Sequence, residues 1–232
     1  MKTSNKILLG IFLTIIILSA TINLMVYAKY KRADYVPFVK EEERLTSVNL
    51  PAAKYVSITA LCRVELSNGA APGFEVHKGH EKGITYRMVG DTLIIIGSTS
   101  LPAKIEESEC NRQLLRLRLP ATTEVYAHCA DIKINGNTDS TLAPSYNIHL
   151  DKRSFLQTDN NDDDTRYINQ LLLWGDDTRF RLDQHIIVNN LNLKMVNGSK
   201  FDDDKGEIRS LTLDVDKEST ISLSGNSIKN IK

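Results

Sequence analysis

The chain has 232 residues, and its 29 Lys and Arg balance its 29 Asp and Glu, so the formal net charge is zero. This balance argues against the clustered basic surface that nucleic-acid backbones require, and we predict no nucleic-acid partner. Aromatic residues make up 6% of the chain, while Leu, Ile and Val dominate its apolar set, which is compatible with a thin core of stacked aliphatic side chains.

An uncharged apolar run lies near the start of the chain, from Ile7 to Ala28. At about 1.5 Å per residue, a helix of this length crosses the hydrocarbon core of a bilayer. We therefore divide the chain into a tail (1–6), a transmembrane helix or signal anchor (7–28), a linker (29–51) and a folded domain (52–232). The alternative is a signal peptide cleaved after Ala28 and a secreted protein. The run is longer than the usual apolar core of a signal peptide, which favours the uncleaved anchor.

The flanking charges bear on the side of the membrane that holds the folded domain. Lys29, Lys31 and Arg32 follow the run and Lys2 and Lys6 precede it, which taken alone favours a cytoplasmic domain. Long domains, however, translocate largely regardless of nearby charge. We expect a single-pass membrane protein whose domain is extracytoplasmic, in the periplasm or at the cell surface.

From Tyr55 onward, apolar residues recur at every second position, and turns rich in Asn, Asp and Gly separate the runs. No amphipathic helix interrupts this pattern, which predicts an all-β domain. Cys62 is interpreted as a small core residue of a strand ending at Leu66, and Cys129 as another. The sequence does not decide whether these two cysteines form a disulfide bond. The loop over 98–111 is the least regular part of the domain.

Four segments in the C-terminal half share one pattern. Each has three alternating positions, a gap of three residues, a Ser or Thr, and then alternating apolar residues. They begin at 146, 170, 191 and 211, about 20 residues apart. The four sets are Tyr146, Ile148, Leu150, Ser154, Leu156; Gln170, Leu172, Trp174, Thr178, Phe180, Leu182; Leu191, Leu193, Met195, Ser199, Phe201; and Leu211, Leu213, Val215, Ser219, Ile221, Leu223.

Strand-like alternation within such a period predicts a β-solenoid, here a single-stranded parallel β-helix in which each repeat is one coil. A β-sandwich or jelly roll is the alternative, because it also has short strands at close spacing. The Ser or Thr stands at the same phase in all four repeats. In a sandwich each hairpin has its own constraints, so the shared phase favours the solenoid.

A set of loose motifs carries a resemblance to a known family. A Lys-flanked apolar N-terminus precedes a strand from Ile58 to Leu66, a Gly-Asp-x-Leu-x-Ile segment from Gly90 to Ile95, and Leu-Pro at Leu119 before a strand at Val125. With the ladder repeats, this pattern resembles the auto-transporter adhesin head domain, also called the GIN domain, over about residues 45–232. The resemblance implies a right-handed single-stranded coil at the cell envelope and no established activity.

Two acidic turns are the candidates for a metal site. Their side-chain oxygens are of the type that calcium prefers, yet neither turn has the ligand spacing of an EF-hand or of a calcium-binding β-roll, so we predict no metal site and interpret both as turns. The weak calcium candidates are Asp162, Asp163, Asp164, Asp202, Asp203 and Asp204. His149 lies between inward positions and should face solvent. Trp174 is assigned to the core.

No catalytic residues and no cofactor are predicted. Carboxylates of the polysaccharide-hydrolase kind occur only as fragments and in the wrong order. We expect a non-enzymatic, membrane-anchored envelope protein, adhesin-like or a structural scaffold, whose binding residues are unknown and whose partner is a protein or a glycan of the envelope. The alternative is a carbohydrate-active β-helix enzyme, either a hydrolase or a lyase. The 98–111 loop and the acidic turns are the expected contact surfaces.

Overall fold

The computed structural model describes residues 3–31, 45–61, 63–78, 83–97, 114–158 and 164–228. The chain divides into two compact units, Met1–Glu43 and Arg44–Lys232. In the first unit, helix α1 (Thr3–Lys31) contains the stretch Lys6–Lys29, which is long and apolar enough to cross a membrane. A helix of this kind near an N-terminus is a candidate membrane anchor or signal sequence.

The second unit is built almost entirely from β-strands, as predicted. A single 3-10 turn (Ser140–Leu142) and a four-residue helix α2 (Gly225–Ile228) are its helical elements among the described residues. The strands are β1 (Leu45–Asn49), β2 (Tyr55–Thr59), β3 (Arg63–Asn68), β4 (Gly73–His77), β5 (Ile84–Val89), β6 (Thr92–Gly97), β7 (Leu114–Leu119), β8 (Glu124–His128), β9 (Asp131–Ile134), β10 (Ser145–Asp151), β11 (Phe155–Thr158), β12 (Arg166–Asp176), β13 (Arg179–Leu182), β14 (Ile186–Val196), β15 (Lys200–Asp203), β16 (Glu207–Ile208), β17 (Leu211–Val215) and β18 (Thr220–Ser222).

These strands form two sheets that enclose one core. Sheet A has the order β1-β4-β7-β3-β9-β11-β13-β15-β18. Sheet B has the order β16-β14-β12-β10-β8-β2-β6-β5, and β17 also pairs with β14. Successive coils pair in parallel, and the inward residues of both sheets join a single apolar cluster. This arrangement is the predicted parallel β-solenoid.

The coils do not all stack in chain order. Strand β2 lies between β6 and β8 in sheet B, and β3 lies between β7 and β9 in sheet A. The coil that comes first in the chain is therefore interior to the stack. Antiparallel strands cover the end beyond it, because β5 pairs with β6, β4 with β7, and β1 with β4. They satisfy strand edges that would otherwise be open to pairing with another chain.

Three of the four predicted repeats have the predicted register. The first and third have buried side chains at every predicted inward position, with Leu150 and Leu193 fully enclosed. The fourth pairs in register with the third, with Leu191 opposite Leu211 and Met195 opposite Val215. It has no following coil among the described residues, and Leu213 consequently remains 45% exposed.

The first half of the second repeat was predicted on the wrong face. Leu171 and Leu173 point into the core, whereas Gln170, Leu172 and Trp174 point outward. Two residues join β12 to β13, where three join β10 to β11 and β14 to β15. Because side chains alternate with a period of two, this missing residue moves every side chain of the strand to the other face.

Gly175 occupies the core position that the shorter corner creates. It pairs with Leu150 on one side and Met195 on the other. A Cβ atom there would lie 2.5 Å from Cε2 of Phe180 and 2.5 Å from Oγ1 of Thr178. The ring of Phe180 thus fills the space that a leucine would have occupied. Phe180 is opposite Phe201 in the strand register.

The corner between the two sheets explains two of the four shared hydroxyl residues, Ser154 and Ser199. The Ser199 hydroxyl donates to the carbonyl oxygen of Val196 (2.7 Å) and accepts from the backbone N–H of Thr178 in the neighbouring coil (3.2 Å). Ser154 makes the equivalent bonds with Asp151 (2.6 Å) and Ala130 (3.2 Å). At Ser154 and Ser199 the hydroxyl therefore satisfies backbone groups of two successive coils, whereas the hydroxyls of Thr178 and Ser219 have no hydrogen-bond partner among the described residues.

The same corner corrects the prediction for Cys129. The chain turns there through left-handed residues, with φ of 54° at Ala60, 49° at Cys129 and 51° at Asp177. Cys129 lies in this turn rather than inside the core, and its thiol is free and exposed. Cys62 lies outside the described residues. The predicted strand up to Leu66 is two strands, β2 and β3, divided by that corner.

Candidate functional site

The outer face of sheet B carries three aromatic rings in successive coils, Tyr126 of β8, His149 of β10 and Trp174 of β12. They are opposite one another in the strand register. The ring centroids of Tyr126 and His149 are 4.6 Å apart at an interplanar angle of 19°, and those of His149 and Trp174 are 5.9 Å apart at 40°. We call these three residues the aromatic column. Tyr126 is 41% exposed.

Glu124 holds one flank of the aromatic column. Its Oε1 accepts from Nδ2 of Asn147 (3.0 Å) and from Nε2 of His149 (3.2 Å). A carboxylate only accepts, so Nε2 is the nitrogen that carries the proton. Burial, the negative charge of Glu124 and a hydrogen bond to it raise the pKa of Tyr126. The phenol accordingly stays protonated and keeps a polar O–H at the edge of the column.

His128 and Asp151 hold the other flank. Nδ1 of His128 donates to Oδ1 of Asp151 over 2.7 Å, between neighbouring strands β8 and β10. Their side chains are 37% and 40% exposed, so both reach solvent. This bond fixes the proton on Nδ1 and leaves Nε2 of the neutral His128 ring as an acceptor. The site therefore presents an acceptor nitrogen beside a carboxylate.

A cavity of about 150 Å³ lies between the aromatic column and this His128–Asp151 pair. Its lining residues come from four strands and are Ser57, Tyr126, Ala127, His128, His149, Leu150, Asp151 and Trp174. A second hollow beside Tyr146 has about 10 Å³ of space, which is at the lower limit for one water molecule. The first cavity is thus the one of these two that can admit a ligand group.

The sequence interpretation found part of this site. His149 was predicted to face solvent, and it does. Trp174 was assigned to the core, and the assignment is wrong because the short corner after β12 reverses the strand's faces. The available sequence signal was Gly175, because the other repeats have leucine, methionine or valine at the equivalent position. Tyr126 could have been found as the residue between the inward Val125 and Ala127.

The acidic turn near the C-terminus spreads its three carboxylates in different directions. Asp202 is exposed on the outer face, and Asp204 binds Nη2 of Arg181 over 3.0 Å. Asp203 is buried and accepts hydrogen bonds from the N–H of Gly206 (2.7 Å) and from the hydroxyls of Ser224 (2.8 Å) and Ser227 (2.5 Å). Asp203 therefore connects β15 to helix α2.

The other predicted contact surfaces are only partly described. Asp162 and Asp163 lie outside the described residues, and Asp164 opens the segment that continues into β12. The 98–111 loop also lies outside them. Within the described ranges, no group of three or more His, Cys, Asp and Glu side chains is arranged to hold a metal ion.

Several solved structures match this chain at low sequence identity. A "putative adhesin" from Parabacteroides distasonis ATCC 8503 matches with a TM-score of 0.47 at 9% identity, over 76% of this chain and 72% of that one. A "putative cell adhesion protein" from Clostridium sporogenes ATCC 15579 matches with a TM-score of 0.35 at 10% identity, over 74% and 99%. A "putative lipid binding protein" from Parabacteroides distasonis matches with a TM-score of 0.28 at 9% identity, over 76% and 94%.

No family model matches the sequence, and no curated protein shows significant similarity to it. The resemblance to auto-transporter adhesin head domains is therefore not confirmed at the level of the family. Identities of 9–10% and TM-scores below 0.5 carry no functional conclusion. Function has to be argued from the residues of this chain.

Proposed function

We propose that this protein is a membrane-anchored binding protein of the cell envelope and that the outer face of sheet B is its contact surface. The aromatic column, with the 150 Å³ cavity beside it, carries the proposal. Half-buried rings together with convergent polar groups are the usual composition of a recognition surface. Helix α1, uncleaved, would attach the domain to the membrane on its extracytoplasmic side.

The solenoid would supply rigidity to this surface. Each ring of the aromatic column belongs to a strand that is paired on both sides, so its position is set by the ladder rather than by a loop. Binding to such a surface costs little ordering of backbone or side chains. A preformed face of this kind suits repeated or extended ligands, because adjacent coils offer equivalent positions.

We favour binding over catalysis because of the acids at the cavity. Glycoside hydrolysis uses two carboxyl groups that face the scissile bond. Among the lining residues, Asp151 is the one carboxylate, and it is engaged by His128. Glu124 lies on the far flank and bonds His149 and Asn147. The arrangement provides acceptors and donors for a ligand and lacks a facing acid pair.

The test uses the full chain in nanodiscs, mixed with an envelope fraction from the cells that produce it. We expect Trp174→Ala to reduce the bound fraction by about tenfold, since aromatic anchors dominate binding energy at contact surfaces. Phe155→Ala is the matched control, because Phe155 is a half-buried aromatic residue on the outer face of sheet A. Circular dichroism verifies that both variants fold. Equal binding by the wild type and both variants contradicts the proposal.

A further inference from the structure

We infer that the cavity beside the aromatic column is a binding subsite for a neutral sugar unit. This inference rests on the proposed function and names the ligand class. The cavity volume is about 150 Å³, and a protein cavity of about this volume holds one benzene ring. It is therefore large enough for a single small ring and too small for a folded peptide segment or a lipid tail.

The two walls of the cavity differ in chemistry in the way a sugar ring does. Trp174 and Tyr126 supply flat apolar carbon surface on one wall, against which the C–H face of a sugar packs. Asp151 and His128 supply acceptors on the opposite wall, where hydroxyl groups can donate. Oδ2 of Asp151 accepts no hydrogen bond from the residues that the structure describes, so it is available to a ligand hydroxyl.

The charge of the lining favours a neutral ligand. None of the eight described lining residues is Lys or Arg, the side chains that pair with phosphate, sulfate or uronate groups. Lys194, which is opposite Trp174 in the next strand, is paired with Asp214 at 3.0 Å. Asp151 and Glu124 contribute negative charge at the two flanks, which disfavours an anion and suits hydroxyl donors.

The column also gives the ligand a direction. Adjacent strands of a sheet are about 4.8 Å apart, so three successive rings extend over about 10 Å along the solenoid axis. This is longer than one sugar ring. A bound oligosaccharide would therefore lie across the strands, with one sugar unit in the cavity and the next unit outside the cavity, along the aromatic column.

The first experiment separates sugar from protein as the ligand. The envelope fraction is treated with periodate, which cleaves vicinal diols, or with proteinase, and the full-length protein in nanodiscs is then added. Periodate should abolish the Trp174-dependent part of binding, and proteinase should leave it. Binding that survives periodate and is lost to proteinase overturns the sugar inference while the proposed binding function stands. Binding that does not depend on Trp174 at all overturns both.

The second experiment uses the fact that Trp174 is the single tryptophan of the chain, so tryptophan fluorescence reports on this site alone. Glycans released from the envelope are separated by anion exchange into neutral and acidic pools. We expect a saturable fluorescence change with the neutral pool, weakened about tenfold or more by Asp151→Ala. Asp202→Ala is the control, because Asp202 is exposed on the outer face of sheet A. A change with the acidic pool alone, or none with either pool, overturns the inference.

Discussion

At the scale of single residues, Asp131 of β9 is a carboxyl whose environment departs clearly from water. Burial raises the pKa of its carboxyl to about 6, although the charges of Arg63 and Lys133 lower it in part. Its Oδ1 is buried without a hydrogen-bond partner among the described residues. Burial in this position disfavours the ionised form of the carboxyl relative to its state in water.

The sign of the resulting pH dependence follows from the direction of this shift. The folded pKa lies above the ordinary value of 3.8, so the folded state binds more protons between these two pH values. The stabilisation is complete below pH 3.8 and is lost as the pH rises through about 6. We expect urea denaturation to show wild type losing stability relative to Asp131→Asn over this range.

The pKa of the Asp216 carboxyl is shifted in the opposite direction to that of Asp131. Hydrogen bonds from the backbone N–H of Ser219 (2.8 Å) and from the backbone N–H of Asn197 (2.7 Å) lower the pKa of its carboxyl. Its contribution to stability is present above pH 3.8 and is lost as the pH falls through the lowered value. Wild type should therefore gain stability relative to Asp216→Asn as the pH rises. Parallel pH profiles for the two variants would contradict the assignment of Asp131.

Gly175 carries the second residue-scale prediction. The ring of Phe180 leaves no room for a side chain at this position, because its Cε2 atom would lie 2.5 Å from an added Cβ. We expect Gly175→Ala to lower the free energy of unfolding by about 1–3 kcal/mol, the usual cost of overpacking. The measurement is urea denaturation in a double-mutant cycle with Phe180→Leu. The cost of Gly175→Ala should shrink in the Phe180→Leu background, and an unchanged cost would contradict the packing argument.

At the scale of elements, the corner between the sheets is the repeated device of the fold. The hydroxyl at its fixed phase bonds the backbone of two coils, as Ser199 does with Val196 and Thr178. At Ser154 and Ser199 this explains the polar residue between apolar strands, because a buried N–H there requires an acceptor. The recurring pattern itself was visible in the sequence.

Two serines at equivalent corners test this explanation. Ser199→Ala leaves the buried N–H of Thr178 without a partner and should cost about 1–3 kcal/mol in the free energy of unfolding. Ser219 is the matched control, because its hydroxyl makes no hydrogen bond with the described residues in the last coil. Ser219→Ala should change stability by less than about 0.5 kcal/mol. Equal losses in urea denaturation would show that the coil-to-coil bond is not the cause.

At the scale of the whole molecule, the two ends of the solenoid differ. Antiparallel strands β1, β4 and β5 cover the end beside β6 and β7. At the other end, β17 keeps Leu213 45% exposed. The N-terminal coil is interior to the stack, so later segments pair on both sides of it. Contacts between β2 and β8 join segments far apart in the chain, which is characteristic of slow-folding topologies.

The membrane placement is tested on intact cells. We expect the full-length protein to retain its N-terminal residues, which N-terminal sequencing or intact mass would establish. We also expect the domain to be digested by protease added from outside, after permeabilisation of an outer membrane where one exists. A cytoplasmic marker protein controls for lysis. Protection of the domain under these conditions would contradict the extracytoplasmic placement, and a mature chain that starts after Ala28 would contradict the anchor.

Much of the fold was predictable because solenoid packing is local and periodic. Inward residues recur at a period of two within a coil, and coils recur at about 20 residues, so Ile148, Leu193 and Phe201 could be assigned to the core from spacing alone. The apolar helix was predictable for the same reason, since length and absence of charge are properties of the sequence.

The placement of several other residues depended on features that spacing does not encode. Cys129 and Ala60 read as strand positions, whereas the fold uses both as left-handed corner residues. Asp203 reads as one of three equivalent acids, yet the alternation of β15 turns it inward to bond Ser224 and Ser227. In each case the residue type is compatible with either position, and contacts with the neighbouring coil determine which position it takes.

By itself, the sequence determined that the chain has an apolar N-terminal helix and a β-solenoid with a repeating hydroxyl at its corner. Only the tertiary structure decided which face of β12 points outward, and with it the aromatic column of Tyr126, His149 and Trp174. The physical reason is the period of two. One residue fewer at a corner leaves local periodicity unchanged and reverses every side chain of the strand, so the face is set by pairing with β10 and β14.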